Sequence, residues 1–205
     1  MRHVIGPGRP QARPGQVIGL LGGSFDPPHE GHLHITLEAM KRFRLDRVWW
    51  LVSPGNPLKS EGPAELPRRL AAAQALVGGH PRIVVTDIES RLGTRYTAET
   101  LEGLIGAYPG TRFVWLMGED NLAGFHRWDR WRAIVSSVPV GVLARPGQPA
   151  SARTARASRV FRSHRLSVAA SGLLGRAEPP CWCHLPIPLR SISSTALRAS
   201  GQWVR

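Results

Sequence analysis

Between positions 22 and 32 the chain reads Gly22-Gly23-Ser24-Phe25-Asp26-Pro27-Pro28-His29-Glu30-Gly31-His32, and its two histidines are the side chains best suited to chemistry. Residues three apart in the first turn of a helix lie side by side, and Gly31 leaves open space between them, so both imidazoles can donate to one phosphate group. Ahead of them, glycines directly after an apolar run let the backbone turn sharply and approach a ligand. The following helix offers unpaired N–H groups and the positive end of its dipole. The combination is a phosphate cradle. His34, two helical residues beyond His32, is turned about 200° away and is expected to be structural.

A second group, Ile192-Ser193-Ser194-Thr195-Ala196-Leu197-Arg198, places hydroxyls at a helix start with an arginine reaching back over the same face. Alone it is a helix cap; beside His29 and His32 it reads as another grip on phosphate. Asp120, just after the apolar run ending at Met117-Gly118, can hold a ribose hydroxyl or cap the next helix. Asp26 can position a metal-bound water or the loop itself. Trp128 can stack on a ring or pack in the core, and Trp131 reads as core. Cys181-x-Cys183-His184 offers three close ligands where a structural zinc site takes four, so no protein-held metal is expected. No Ser/His/Asp or Cys/His arrangement is evident.

These residues need strands and helices to carry them. Apolar runs at 17–21, 47–52, 82–87, 112–117 and 138–143 read as strands. Helical patterns fall at 31–43, 64–77 and 97–107, with short helices around 121 and 131. Such alternation predicts an α/β fold with a doubly wound, mostly parallel sheet and helices on both faces, whose ligands collect at the carboxyl ends of the strands. The 205 residues fit one domain over 17–205, preceded by a flexible, Pro/Gly/Arg-rich tail over 1–16.

The net charge of +13 favours an anionic partner. Arg153, Arg156, Arg159, Arg162 and Arg165 recur every third residue, which sweeps them round most of a helix; this reads as a solvated element before a phosphate-facing patch. No nucleic-acid module accompanies the charge, so a nucleic-acid partner is not expected. Two cysteines give no disulfide framework, and no stretch has signal-peptide or membrane-spanning character, so a cytoplasmic location without membrane contact is expected.

GGSFDPPHEGH resembles the signature of the H-x-G-H nucleotidyltransferases, especially bacterial nicotinate-nucleotide adenylyltransferases. Ile192–Arg198 is similar to that family's I-S-S-T-x-[IL]-R, and Ser53–Lys59 to a loop ending in P-P-H-[KR], although Pro57-Leu58 departs from the usual Pro-His. Arg95–Leu101 resembles S-Y-T-x-x-T-L, and Gly118 through Trp128 resembles G-x-D-x-L…F-x-x-W, both features of the nicotinate branch. The resemblance spans about 17–198 and implies a Rossmann-like fold and adenylyl transfer from ATP to nicotinate mononucleotide. ATP would be held by Gly22, Gly23, Ser24, Phe25, His29, His32, Asp120, Ser193, Ser194, Thr195 and Arg198. Among these, His29, His32 and Arg198 would be catalytic. Lys59, Thr97 and Trp128 would serve nicotinate mononucleotide, Trp128 by stacking on the pyridine ring and Thr97 at the carboxylate. Mg²⁺ would be carried mainly by ATP, and the enzyme would be a monomer or homo-oligomer. Other H-x-G-H enzymes act on nicotinamide mononucleotide or phosphopantetheine, and an inactive scaffold is opposed by the intact His29, His32, Ser194, Thr195 and Arg198.

Overall fold

Strands covered on both faces read as unbroken apolar runs, and here Val48 to Val52 and Phe113 to Gly118 are buried without a break. The computed structural model describes residues 9–55, 62–144, 155–188, 194–201 and 203. Among the described residues the strands are β1 (Val17–Gly23), β2 (Arg47–Val52), β3 (Ile83–Thr86), β4 (Arg112–Gly118), β5 (Val140–Ala144), β6 (Arg165–Leu166) and β7 (Trp182–Pro186). They form one sheet in the order β3-β2-β1-β4-β5-β7-β6, with every pairing parallel. The expected sheet is therefore present, and β7 and β6 extend it past the last strand visible in the apolar pattern.

Alternate strand residues feed two separate cores. On one face α1 (Glu30–Arg42) and α2 (Leu66–Val77) bring Ile35, Ala39, Met40, Ala73 and Val77 against Leu21, Val48 and Trp50. On the other, α3 (Ile88–Leu92), α4 (Thr97–Ala107), α5 (Glu119–Gly124), α6 (Trp131–Ser137) and α7 (Arg156–Val160) bring Ile88, Leu101, Leu122, Ile134 and Ala157 against Leu20, Trp49 and Trp115. α2 starts with Pro67 in its first turn and ends at Gly78, whose φ of 60° supplies the left-handed cap. A last helix, α8, covers Ser194–Ala199.

The chain steps outward from β1 to β2 to β3 on the α1/α2 face. It then returns through α3 and α4 on the opposite face to β4, on the other side of β1. β1 and β4 are thus neighbours whose connections leave in opposite directions, and the crevice this opens at their carboxyl ends is where such sheets bind ligands.

In the segment read as a flexible tail, the described residues 9–16 are mostly exposed but tied to the body at two points: the Tyr108 hydroxyl donates to the Pro10 carbonyl (2.8 Å), and the Gly15 N–H to that of Gly110 (2.7 Å). Of the basic series, Arg153 lies outside the described residues. Arg156, Arg159, Arg162 and Arg165 are exposed, divided between the five-residue α7, a 3₁₀ turn and β6. Among the described residues no helix is long and apolar enough to cross a membrane.

Candidate active site

The glycines of the 22–32 segment do not make its turn. Gly22 and Gly23 are still in β1, paired with Leu51 and Val52. A Cβ on Gly22 would lie 2.5 Å from the Trp115 ring, so the missing side chain makes room for an indole of the neighbouring strand. The left-handed residue is instead Phe25, with φ 47°. An apolar side chain holds that conformation because its ring is buried and stacked on Trp50 at 4.9 Å, with 16° between the planes.

Beyond the turn, His29 is the N-cap of α1 and His32 its third residue. The Nδ1 of His29 accepts the N–H of Gly31, and the Nδ1 of His32 accepts the N–H of His29, both at 3.1 Å. An Nδ1 that accepts leaves the proton of a neutral ring on Nε2, so each imidazole is set as an Nε2–H donor. The ring centroids lie 3.9 Å apart, and His32 also rests on Phe25 at 4.8 Å. Thr36 secures the turn from within: its hydroxyl donates to the His32 carbonyl and accepts from the Trp50 indole, each at 2.8 Å. His34 instead bonds to the Pro188 carbonyl at 2.9 Å, away from this pair, which is the structural role expected of it.

α8 is docked on the same loop. The Ser194 hydroxyl donates to the Pro27 carbonyl at 2.8 Å; Arg198 donates to the Asp26 carbonyl and lies 3.4 Å from the Thr195 hydroxyl. His29, His32, Ser194, Thr195 and Arg198, separated by more than 160 residues in the chain, therefore meet around residues 26–32. Ser193 and Lys59 lie outside the described residues.

Two supports, Arg69 and Trp203, were not legible beforehand. Arg69 of α2 is 1% exposed, and its guanidinium donates to the carbonyls of Ala64, Ser24 and Ser53, the last two at 2.7 Å. It stitches the loop after β1 to the loop after β2. Burial pulls its pKa below the usual guanidinium value, opposed by the Asp26 carboxylate. Asp26 itself is 2% exposed; its Oδ1 accepts the Trp203 indole N–H at 2.7 Å and the Ala64 N–H at 3.3 Å, so it serves the loop.

On the opposite face of the sheet, Thr97 opens α4. The Glu99 carboxylate reaches back to the N–H groups of Arg95 and Tyr96, at 3.2 and 3.3 Å, and so closes the turn before Thr97. Beneath that turn Glu89 is buried, bonded through the Thr100 hydroxyl (3.5 Å), which in turn touches that of Thr94 (2.9 Å). Burial pushes the Glu89 pKa up to about 7, with the Thr100 bond pulling the other way. Trp128 follows the 3₁₀ turn Phe125–Arg127 and is half-buried, held edge-on by Phe125 (5.2 Å) and Trp115 (6.2 Å). Trp131 is 8% exposed against Phe125 and Phe161, a core residue as expected.

Asp120 is exposed in the first turn of α5, and the helix is capped by Gly118, where a Cβ would lie 2.4 Å from the Asp120 carboxylate. The neighbouring Glu119 accepts the His184 ring N–H at 3.0 Å, tying the end of β4 to β7. His184 thus faces away from Cys183, which sits in the α1/α2 core with Cys181; burial raises the pKa of both thiols. The Cys-x-Cys-His run therefore splits across the sheet and does not converge on one point.

Residues 20–200 match the cytidylyltransferase-like family. A "probable nicotinate-nucleotide adenylyltransferase" of Cereibacter sphaeroides is 65% identical over 187 residues, 91% of this chain and 99% of the relative. One of the same name from Ruegeria pomeroyi is 61% identical over 196 residues, 96% of this chain and 92% of the relative. The Plasmodium falciparum nicotinic acid mononucleotide adenylyltransferase, solved in complex with NaAD, shares the fold. It superposes with a TM-score of 0.68 at 19% identity, over 90% of this chain and 83% of that one.

Proposed function

The chain belongs to the cytidylyltransferase-like family and, within it, to the nicotinate-nucleotide adenylyltransferases, and from that membership we infer that it joins ATP and nicotinate mononucleotide into nicotinate adenine dinucleotide and pyrophosphate. The observation that carries the reaction type is the reciprocal capping of His29 and His32, which sets two ring donors side by side at the start of a thirteen-residue helix.

In the reaction, the phosphate of nicotinate mononucleotide attacks the α-phosphorus of ATP in line, and pyrophosphate leaves. An anionic phosphate nucleophile needs no general base, so catalysis reduces to positioning and to stabilising charge on the transferring group. We assign the Nε2–H groups of His29 and His32, the N-terminal end of α1, and Arg198 to that charge. Gly22, Gly23, Ser24 and Phe25 line the backbone approach to ATP, Ser193, Ser194 and Thr195 bind beside Arg198, and Asp120 holds a ribose hydroxyl. Lys59, Thr97 and Trp128 serve the acceptor: the half-buried indole suits a π-deficient pyridine ring, and donors at the start of α4 suit a carboxylate better than a carboxamide. Mg²⁺ arrives with ATP. Asp26 and Glu119 bond to Trp203 and His184, and ATP oxygens and water would be the ion's main ligands.

Pyrophosphate release from ATP, compared with nicotinate mononucleotide, nicotinamide mononucleotide and phosphopantetheine as acceptors, tests this reading. Turnover should be greatest with the nicotinate nucleotide; a chain that turns over only phosphopantetheine would overturn the acceptor assignment.

A further inference from the structure

Asp26 is a nearly fully buried carboxylate in the middle of the loop that carries the paired histidines, and a buried carboxylate persists only when donors surround it. One of those donors comes from outside the motifs. The Nε1–H of Trp203, four residues past the end of α8, donates to Asp26 Oδ1 at 2.7 Å, while Arg198 from α8 lies 4.0 Å from Oδ2. The indole is in turn covered by a cation: the Arg68 guanidinium sits 4.1 Å from the Trp203 ring centroid. Arg68 and Arg69 are consecutive on α2. Arg69 holds the Ser24 carbonyl on one side of Phe25, and Arg68, through Trp203, holds Asp26 on the other. Phe25 is the residue with positive φ, so both flanks of the strained position are fixed from the same helix.

We propose that Trp203 is a positioning residue for adenylyl transfer: clamped by Arg68, its indole N–H holds the Asp26 carboxylate and so locks the histidine loop and α8 into one unit. The proposal rests on the phosphate-binding role assigned to that loop. It extends the site beyond the recognised Ile192–Arg198 segment to a residue that acts through Asp26.

Trp203→Phe keeps the ring under Arg68 and removes only the N–H, leaving a buried charged oxygen short of a donor. Loss of a hydrogen bond to a charged group corresponds to about tenfold or more. Turnover with MgATP should fall by about tenfold, with the KM for nicotinate mononucleotide within about twofold of wild type. Amide exchange in the substrate-free protein should quicken in peptides covering 23–32 while peptides from β4 and β5 hold their rates. In the Asp26→Asn background Trp203→Phe should add little, because the charged acceptor is already gone. Wild-type exchange at 23–32 in Trp203→Phe, or full additivity with Asp26→Asn, would overturn the proposal whatever the turnover. A wild-type chain that releases no pyrophosphate would instead overturn the reaction assignment, since the exchange measurement needs no substrate.

Discussion

The Nδ1 atoms of His29 and His32 each accept a backbone N–H of the turn that opens α1, so the two imidazoles cap one helix reciprocally while their centroids lie 3.9 Å apart. One atom of each ring is spent on structure and the other is thereby fixed as a donor. His32→Ala should therefore do two separable things: lower turnover about a hundredfold through a lost transition-state donor, and destabilise the still-folded protein by about 1 kcal/mol through the lost cap. His32→Asp keeps an acceptor for the His29 N–H but no N–H donor, so it should recover the stability and not the turnover. Steady-state pyrophosphate release with thermal melts reads both, and near-normal turnover in either variant would remove His32 from the chemistry.

Arg69→Met replaces a buried guanidinium with a side chain of similar length and leaves the Ser24 and Ser53 carbonyls without their donor. A loss of about 3 kcal/mol is expected, with a clear drop in the urea midpoint. A midpoint within experimental error of wild type would show that the two loops hold without the stitch.

Glu89 makes stability depend on pH in a direction opposite to that of a paired surface carboxylate. Its folded pKa is raised to about 7 from an ordinary 4.5, so the folded state holds the proton longer than the unfolded chain. Its contribution is complete below pH 4.5 and is lost as pH rises through 7, a change of about 3 kcal/mol. Urea midpoints of wild type should fall between pH 5 and pH 8 relative to those of Glu89→Gln, which keeps a neutral side chain throughout. Parallel curves would contradict the burial argument.

Trp128→Ala should raise the KM for nicotinate mononucleotide by about tenfold and leave that for MgATP nearly unchanged, as loss of a stacking platform does. Trp128→Phe should recover most of the loss. Equal effects on both substrates would place Trp128 in the scaffold with Trp131.

The strands β1, β2 and β4 were legible because burial on both faces leaves an unbroken apolar run, and α1 because its motif announces its start. β7 was not, since its residues Trp182–Pro186 follow Pro179-Pro180 and carry two residues that draw the eye to metal chemistry. α3 spans five residues, too few for a helical period to show. Gly22 was legible as a special position, but the turn expected there falls at Phe25, and the space a Cβ would need at Gly22 is taken by Trp115 on another strand. Arg69 and Trp203 left no trace: Arg69 bonds to backbone carbonyls, which every residue has, and Trp203 meets Asp26 across 177 positions.

The reversal of winding between β1 and β4 puts the paired histidines and Trp128 against different packing layers. The histidine loop continues into α1 and is braced by α2 on one face, whereas Thr97 and Trp128 belong to the opposite layer, and the two cores share no residue. On the assignments proposed above, the ring platform at Trp128 can accordingly be repacked through Phe125 and Trp115 without touching the core beneath the histidine loop.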